Sequence, residues 1–308
     1  MKKVIITAPA HPVLAERLNQ HGYSVVYKPE ISYLQLEQIV SDVEGLVVTT
    51  RIQVDRNLID KAPLLSWVGR LGSGLELIDV GYATSKNIKC ISTPEGNRNA
   101  VAEHTLGLVL NLLHKINKSV SEVKAGNWFR NENRGVELTG KTVGVIGYGN
   151  TGSSFAQLLQ PFNVTVLAYD KYKDGFASEY IRECNLEQIS RYADVISFHV
   201  PLTEETFHMA GESFFSSLKN KPFFISTCRG EVTDTNALIN ALSENKIAGA
   251  ALDVLENEHL NSYSSSEEEQ FKELINNPKV IITPHIAGYS EESFFKMSSF
   301  LIQKLGLK

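Results

Sequence analysis

The sequence has no uninterrupted apolar run of about 18 residues, the length that a membrane-spanning helix needs. The apolar run near its N-terminus is too short for a signal peptide. It contains only three cysteines, Cys90, Cys184 and Cys228, an odd number at wide spacing. This favours reduced thiols over a disulfide framework or a metal site. These absences predict a cytoplasmic protein that has no membrane association and binds no metal.

Excess positive charge is also absent. Lysine and arginine number 30 against 35 aspartates and glutamates, which gives a net charge of −5, and no basic stripe is present. Nucleic acid is therefore not an expected partner. The hydrophobic content of 43% and the length of 308 residues are ordinary for a globular chain of about two domains.

The strongest pattern present is an apolar, β-branched run at 143–146, which predicts a buried strand and leads into three glycines. Gly147, Gly149 and Gly152 are spaced G-x-G-x-x-G, and helical patterning follows at 153–160. In a dinucleotide site the first glycine permits the tight turn, the second lets backbone approach the pyrophosphate, and the third lets the helix pack against the strand. The alternative is a glycine-rich turn of another α/β protein, but the flanking strand and helix favour a cofactor loop.

The second part of this pattern is Asp170, about 20 residues after the glycines, where a carboxylate accepts hydrogen bonds from the adenosine ribose. The same charge would repel a 2′-phosphate, so we expect NAD as cofactor rather than NADP. Lys171 and Lys173 count against this preference. The other loop residues assigned to the cofactor are Tyr148, Asn150 and Thr151.

The remaining chain alternates short apolar runs with helical segments, which predicts parallel, doubly wound sheets. Strands are expected at 4–7, 24–27, 46–49, 66–69, 88–91, 164–168, 195–200, 223–227, 248–252 and 280–282. Helices are expected at 12–20, 33–40, 56–61, 77–84, 236–243 and 291–305, with a capping box at Ser266 and Glu269 opening a helix to 276.

A long helical region is expected at 98–124, capped by Asn97 or Asn99. Its two histidines, His104 and His114, are interpreted as packed or surface residues rather than catalysts.

A second glycine-containing loop follows the strand at 66–69. Gly72, Ser73 and Gly74 can form a nest of backbone N–H groups for an anion. A plain turn that needs positive φ explains the same residues, and spacing alone does not separate the two.

Three charged side chains of complementary type follow strands of the nucleotide-binding half. They are Arg229, Glu258 and His285. Ligands of open α/β sheets bind at the carboxyl ends of strands. Hydride transfer to a carbonyl needs an acid near neutral pH, a cation for the substrate carboxylate and a group that keeps the acid charged, and these residues supply all three.

Over nearly its whole length the chain resembles the D-isomer-specific 2-hydroxyacid dehydrogenases, most closely the short D-3-phosphoglycerate dehydrogenases. The resemblance lies in the glycine fingerprint and in short motifs in order: VGRLGSG at 68–74, TPEGN at 93–97, VAEH at 101–104, HVPLT at 199–203, CRG at 228–230, ALDV at 251–254 and TPH at 283–285.

The resemblance implies residue roles. Arg229 is expected to grip the substrate carboxylate and polarise its carbonyl, His285 to be the general acid/base, and Glu258 to favour its protonated form. Asp253 is expected near the nicotinamide amide. The remaining positions carried over are Val200 and Pro201 at the adenine, Thr227 and Cys228 in the cofactor site, and Leu71, Gly72, Ser73 and Gly74 as the carboxylate-binding loop.

The resemblance also implies two doubly wound domains. A Rossmann NAD domain is expected at 99–287, and a flavodoxin-like substrate domain at 1–98 plus 288–308. Relatives of this kind usually dimerise through the nucleotide domain and its long helix, so a homodimer is expected. Feedback by serine through a C-terminal regulatory domain is not expected.

Several positions depart from the family pattern. Glu76-Leu77 replace Asp-Asn, Asn163 replaces glycine, Cys228 replaces alanine and His259 replaces proline. Thr49 stands where phosphoglycerate enzymes often carry arginine, although Arg51 lies two positions later and could reach a phosphate.

The expected reaction interconverts 3-phosphoglycerate and 3-phosphohydroxypyruvate in serine biosynthesis. One alternative is a glyoxylate/hydroxypyruvate or lactate-type 2-keto acid reductase. An alternative of another class is an NAD-sensing binding protein like the co-repressors of this fold.

Overall fold

The computed structural model describes residues 2–307, which divide into two compact units. Unit 1 comprises the chain up to Ala100 and again from Gly288, and unit 2 comprises Val101–Ala287. This division places the first junction two residues after the sequence-based boundary at 98.

The strands within residues 2–307 are β1 (Lys2–Ile6), β2 (Tyr23–Tyr27), β3 (Val43–Val48), β4 (Trp67–Arg70), β5 (Lys89–Ser92), β6 (Thr142–Ile146), β7 (Thr165–Tyr169), β8 (Ile181–Glu183), β9 (Val195–Phe198), β10 (Phe223–Ser226), β11 (Gly249–Leu252) and β12 (Val280–Ile282). The α-helices are α1 (Pro12–Gln20), α2 (Tyr33–Glu37), α3 (Arg56–Asp60), α4 (Val80–Ser85), α5 (Pro94–His114), α6 (Ile116–Lys124), α7 (Asn150–Leu158), α8 (Leu186–Tyr192), α9 (Glu212–Ser217), α10 (Thr235–Ser243), α11 (Ser265–Asn276) and α12 (Glu291–Lys304).

Unit 1 is built on a five-stranded parallel sheet in the order β2-β1-β3-β4-β5. Successive residues of β1 point to opposite faces, so Ile5 joins one apolar cluster while Val4 and Ile6 join the other. The second cluster also contains Leu14 from α1 and Leu301 from α12. The helix near the C-terminus therefore completes a core that the N-terminal strands begin.

Unit 2 is built on a seven-stranded parallel sheet in the order β12-β11-β10-β9-β6-β7-β8. The order reverses at β6, from which the chain first runs outward through β7 and β8 and then returns to β9 on the other side. This is the dinucleotide-binding order extended by one strand. Two parallel-sheet α/β units confirm the predicted fold class. Because every strand of this sheet is parallel, all its carboxyl ends lie along one edge.

The helical region predicted at 98–124 begins earlier than predicted and is divided into two helices. The helix α5 begins at Pro94, so Asn97 and Asn99 lie inside it rather than capping it. It ends at His114 because Lys115 adopts the left-handed conformation (φ 53°), and α6 starts at the next residue.

The predicted capping box at Ser266 and Glu269 is also wrong, by two residues. Ser264 caps α11 and pairs with Glu267 in the capping box. Hydrogen bonds from Asn257 and Ser264 lower the pKa of Glu267 to about 2. A run of three serines before three glutamates offers several equivalent registers, and the contact with Asn257 from another segment selects one of them.

None of the helices within residues 2–307 combines the length and the apolar character that crossing a bilayer would require.

Candidate active site

The predicted site residues of unit 2 all follow strands at the carboxyl edge of its sheet. The glycine loop follows β6, Asp170 follows β7, Val200 and Pro201 follow β9, Thr227, Cys228 and Arg229 follow β10, Asp253 and Glu258 follow β11, and His285 follows β12.

His285 and Glu258 form a direct pair. The Nδ1 of His285 lies 3.0 and 2.9 Å from the two carboxylate oxygens of Glu258. A carboxylate can only accept, so Nδ1 carries the proton in this hydrogen bond, and Nε2 remains for exchange with another molecule. Both side chains are partly exposed, at 36% and 42%, which leaves the pair accessible from solvent. The pairing that the sequence predicted is therefore present in the structure.

Arg229 lies at the end of β10, the neighbour of β11 in the sheet. Its backbone is extended, and its Nη1 donates to the carbonyl of Cys228 at 2.6 Å. Gly230 follows, and a Cβ there would lie 1.8 Å from the carbonyl oxygen of Leu255. Only glycine lets this segment approach the chain that leads to Glu258, so the loops that carry the arginine and the glutamate are in backbone contact.

Asp253 is almost fully buried and holds the segment that carries His285. One carboxylate oxygen accepts from Thr283 Oγ1 at 2.5 Å and from the Ile286 amide at 2.9 Å, and the other accepts from the Ala287 amide at 2.7 Å. His285 itself is left-handed (φ 55°). The aspartate assigned to the nicotinamide by resemblance thus fixes the backbone on both sides of the histidine.

His104, interpreted in the sequence as a packed or surface residue, belongs to this network. Its Nε2 lies 3.1 Å from Thr283 Oγ1. Because the threonine hydroxyl donates to the carboxylate of Asp253, the histidine must be the donor in its own contact. The motif VAEH at 101–104 was the available signal, but only the fold shows which partner it meets.

Glu256 fixes the chain two residues before Glu258 and was not singled out in the sequence. It accepts from the Thr235 amide at 2.8 Å and contacts His208 Nε2 at 2.6 Å. The carboxylate of Glu256 therefore holds the loop that leads from β11 to Glu258 close to its last residues.

The glycine loop has the geometry of an anion cradle. Gly147 is in the positive-φ region (94°), and a Cβ there would lie 2.6 Å from the His199 carbonyl oxygen. Gly149 caps α7 without any side-chain hydrogen bond, and a Cβ there would meet no protein atom within 4 Å. The helix thus presents its first N–H groups to open space, which fits a dinucleotide pyrophosphate. The residues present would hold NAD through Gly147–Gly152 amides and Asp170.

Two alanine substitutions in this loop are expected to separate folding from cofactor binding. A Cβ at Gly152 would lie 2.0 Å from the Gly147 carbonyl oxygen, so Gly152→Ala should lower the free energy of unfolding by about 1–3 kcal/mol. Gly149→Ala should leave stability unchanged but weaken NAD binding by about tenfold or more, because its methyl group occupies the space of the phosphates. Urea unfolding and NADH fluorescence titration measure the two effects. Equal behaviour of the two variants would contradict this description of the loop.

Asp170 is oriented by backbone donors. Its carboxylate accepts from the Tyr148 amide at 2.8 Å and from the Tyr172 amide at 2.9 Å. Tyr148 stacks on Phe176, with ring centroids 4.2 Å apart. The acid that the sequence assigned to the ribose therefore contacts the glycine loop directly.

His199 is buried behind the glycine loop. Its Nε2 contacts Ser197 Oγ at 2.9 Å, and its Nδ1 is buried without a partner among the described residues. Burial lowers the pKa of His199 to about 3, so the ring is neutral in the folded protein near pH 7.

Acid is expected to destabilise the protein through His199. The unfolded chain takes up this proton near pH 6.5 and the folded protein does not, so stability is full above pH 6.5 and falls as the pH decreases towards 3. The loss from this residue between pH 7 and pH 5 should be about 2 kcal/mol. His199→Asn should remove that part of the pH dependence, whatever its effect at pH 7. Urea unfolding of both proteins at the two pH values checks this, and an unchanged pH dependence in the variant would contradict it.

In unit 1, two of the backbone N–H groups in the loop of Leu71, Gly72, Ser73 and Gly74 donate hydrogen bonds within the unit. The amide of Leu71 donates to Val48 O at 3.0 Å, and that of Gly72 donates to Thr93 Oγ1 at 3.0 Å. Gly72 has positive φ (139°), as the interpretation of the loop as a plain turn requires. The amides of Ser73 and Gly74 have no acceptor among the described residues and are the donors left for an anion.

Arg51 is held by backbone. Its Nη2 lies 2.5–3.3 Å from the carbonyl oxygens of Thr7, Pro29 and Ile31. This nitrogen contacts the segments that follow β1 and β2. The arginine that the sequence analysis considered for a substrate phosphate is therefore held by backbone carbonyl groups.

Among residues 2–307, no cluster of three histidine, cysteine, aspartate or glutamate side chains is arranged to hold a metal ion.

Cys228, directly before Arg229, is buried, and this burial raises the pKa of the Cys228 thiol.

The order of strands, the glycine loop and the oriented aspartate define unit 2 as an NAD-binding domain. Its residues 106–287 match the family model described as "D-isomer specific 2-hydroxyacid dehydrogenase, NAD binding domain". The chain belongs to the D-isomer-specific 2-hydroxyacid dehydrogenases, and its cofactor is NAD.

Similar proteins act on several substrates. The chain is 32% identical to the D-3-phosphoglycerate dehydrogenase of Archaeoglobus fulgidus over 305 residues, 98% of this chain and 56% of that protein. It thus spans about half the length of that relative. The D-lactate dehydrogenase of Aquifex aeolicus, solved with NAD and lactic acid, is 29% identical with a TM-score of 0.86, covering 99% and 94% of the two chains. The NADPH-dependent glyoxylate/hydroxypyruvate reductase of Sinorhizobium meliloti is 26% identical with a TM-score of 0.83, covering 99% and 92%.

Proposed function

We propose that this protein is an NAD-dependent oxidoreductase that interconverts a D-2-hydroxy acid and its 2-keto acid. The observation that carries the proposal is the hydrogen-bonded pair of His285 and Glu258 at the carboxyl edge of the NAD-binding sheet. Arg229 stands at the same edge, at the end of β10 in the order β12-β11-β10. An acid/base, its charge partner and a cation are the groups that this reaction requires.

Each residue then has one chemical task. When bound, NAD supplies the ring carbon that accepts or returns the hydride. The Nε2 of His285 takes the hydroxyl proton during oxidation and returns it during reduction. Glu258 stabilises the resulting imidazolium at short range. Arg229 binds the carboxylate and polarises the carbonyl. Within unit 1, the amides of Ser73 and Gly74 are proposed as donors to an anion.

We propose 3-phosphoglycerate and 3-phosphohydroxypyruvate as the substrate pair, in serine biosynthesis. The support is the 32% identity with D-3-phosphoglycerate dehydrogenases. Glyoxylate, hydroxypyruvate and pyruvate are the alternatives, because similar structures include a lactate dehydrogenase and a glyoxylate/hydroxypyruvate reductase. Arg51 donates to backbone carbonyl groups and is not assigned to the phosphate.

The test measures the rates at which the protein reduces several keto acids, monitored by the decrease in NADH absorbance. Hydroxypyruvate and 3-phosphohydroxypyruvate form a matched pair that differs only in the phosphate. A kcat/KM at least tenfold higher for the phosphorylated acid supports 3-phosphoglycerate, and a higher value for hydroxypyruvate, glyoxylate or pyruvate assigns the protein to that substrate instead. Tight NADH binding without turnover of any of these acids would favour the NAD-sensing binding protein.

Replacing Glu258 with glutamine is expected to lower kcat for oxidation more than it changes the binding of NADH. The carboxylate 2.9 Å from Nδ1 stabilises the imidazolium that forms when Nε2 takes the hydroxyl proton, and a neutral amide does not. A loss of about 1.4 kcal/mol of this stabilisation in the transition state would lower kcat about tenfold. Steady-state oxidation rates and NADH fluorescence titrations measure the two effects. A variant that keeps the parent kcat would contradict the role of Glu258.

We also propose that a second copy of the chain covers the exposed face of α6. Ile116, Val120 and Val123 recur at helical spacing and are 45–51% exposed, and Trp128 beyond the helix is 81% exposed. Sedimentation of the protein and of Val120→Glu tests this. A dimer that the substitution converts to monomer supports the proposal, and an unaltered dimer or a monomeric parent protein refutes it.

A further inference from the structure

Lys171 lies at the position after β7 where dinucleotide-binding domains can bind the 2′-phosphate of NADP. It follows Asp170 directly, and cations near the ribose are the groups that accommodate a 2′-phosphate in such domains. A lysine in this position counts against the preference for NAD that the aspartate suggests. The surroundings of its side chain therefore matter for the choice of cofactor.

The structure pairs this lysine with a carboxylate from another loop. The Nζ of Lys171 lies 2.6 Å from one oxygen of Glu205, and the Tyr172 hydroxyl donates to the other oxygen at 2.6 Å. The lysine also stands 5.5 Å from the centre of the Tyr172 ring. The hydrogen bond from Lys171 lowers the pKa of Glu205, and that carboxylate raises the pKa of Lys171, so both stay charged near neutral pH.

The neighbouring donors are engaged as well. Asp170 takes the amides of Tyr148 and Tyr172, and Lys173 Nζ lies 3.3 Å from the Tyr148 carbonyl oxygen. Each donor here that could bind a phosphate already contacts an acceptor within the protein. These donors are the two lysines, the Tyr172 hydroxyl and the two amides. Two of those acceptors are carboxylates, which repel a phosphate dianion.

We propose that Glu205 is a specificity-determining residue that excludes NADP, by neutralising Lys171 and occupying the Tyr172 hydroxyl. Asp170 would repel the 2′-phosphate directly, whereas Glu205 would remove the cation that could compensate for that repulsion. Since Lys171 and Glu205 are each about half exposed, their pairing contributes little to stability. Its effect should be seen in the comparison of ligands with and without a 2′-phosphate.

The experiment measures binding of nucleotide fragments, which needs no keto acid and no turnover. Titration calorimetry of the full chain with ADP and with 2′,5′-ADP compares two ligands that carry two phosphates each, of which only 2′,5′-ADP has one on the ribose 2′-oxygen. Glu205→Gln should bind 2′,5′-ADP about fivefold more tightly, relative to ADP, than the parent protein does. The gain should shrink in about 0.5 M salt, because the charges are exposed. The ratio of kcat/KM for NADPH over NADH should rise in the same direction.

Glu204→Gln is the matched control, since it removes the same charge from the adjacent exposed position. A second test combines Glu205→Gln with Lys171→Met, which should abolish the gain if the freed lysine produces it. Equal effects of the Glu204 and Glu205 variants, or a gain that survives loss of Lys171, would overturn the proposal. Failure of ADP to bind at all would overturn it together with the cofactor site. Failure of every keto acid to react would count only against the proposed function.

Discussion

Replacing His285 with asparagine is expected to lower kcat for keto acid reduction by about a thousandfold, within the 10²–10⁴ range for loss of a general acid. Asparagine is chosen because position 285 is left-handed (φ 55°), a conformation that asparagine tolerates far better than alanine. The variant should therefore keep the backbone that Asp253 fixes through residues 283–287. NADH affinity should change by less than about twofold, since the imidazole is assigned to the substrate and not to the nucleotide.

His259→Asn is the control for this experiment. It makes the same chemical change at an exposed histidine directly after Glu258 and should leave kcat nearly unaltered. Steady-state rates and NADH fluorescence titrations of the three proteins are compared. Substantial turnover by His285→Asn, or an equal loss in the control, would show that His285 is not the proton donor.

Replacing Arg229 with lysine is expected to lower kcat/KM by about 10²–10³-fold, even though the positive charge is kept. A guanidinium presents a planar fork of N–H groups that can bind a carboxylate and reach the carbonyl oxygen together, whereas an ammonium is a single point of charge. The extended backbone at position 229, followed by tightly packed Gly230, gives the shorter side chain no freedom to move closer. Both a higher KM and a lower kcat should result, because the arginine acts in binding and in polarisation.

Arg191→Lys is the corresponding control, on the exposed surface of α8. If Arg229→Lys keeps the parent kcat and only raises KM by a few fold, the arginine serves as a general charge and not as the polarising group.

The glycine fingerprint shows how far local sequence can predict structure. A strand, a tight turn and a helix N-terminus are adjacent in the chain, so residues 143–160 contain nearly all the information that their fold needs. The cofactor loop and Asp170 were therefore predictable, and the structure places the Tyr148 amide on that carboxylate. Most strand positions were predictable for the same reason, since buried parallel strands are short continuous apolar runs. The edge strand β8 (Ile181–Glu183) was missed, because it is short and two of its three residues are charged.

Features that depend on distant partners were not predictable. Two helix ends were missed for a local reason: Gly96 and Asn97 disfavour a helix near Pro94, where α5 begins, and the residues around Lys115 favour a helix that in fact breaks there. The register of the cap at Ser264 depends on Asn257. Likewise, Lys171 counted as evidence for NADP until Glu205, 34 positions away in the chain, was found beside it.

The sequence by itself determined the class of fold, and it predicted the glycine loop and the three charged residues that follow strands, because each depends on residue type and on spacing within one β-α unit. Only the tertiary structure decided that Asp253 holds the histidine segment, that His104 contacts Thr283, and that Arg51 is bound to carbonyl groups. Those contacts join residues far apart in the chain, and hydrogen bonding depends on distance and direction in space. A linear pattern does not contain these quantities until the strands have been placed side by side.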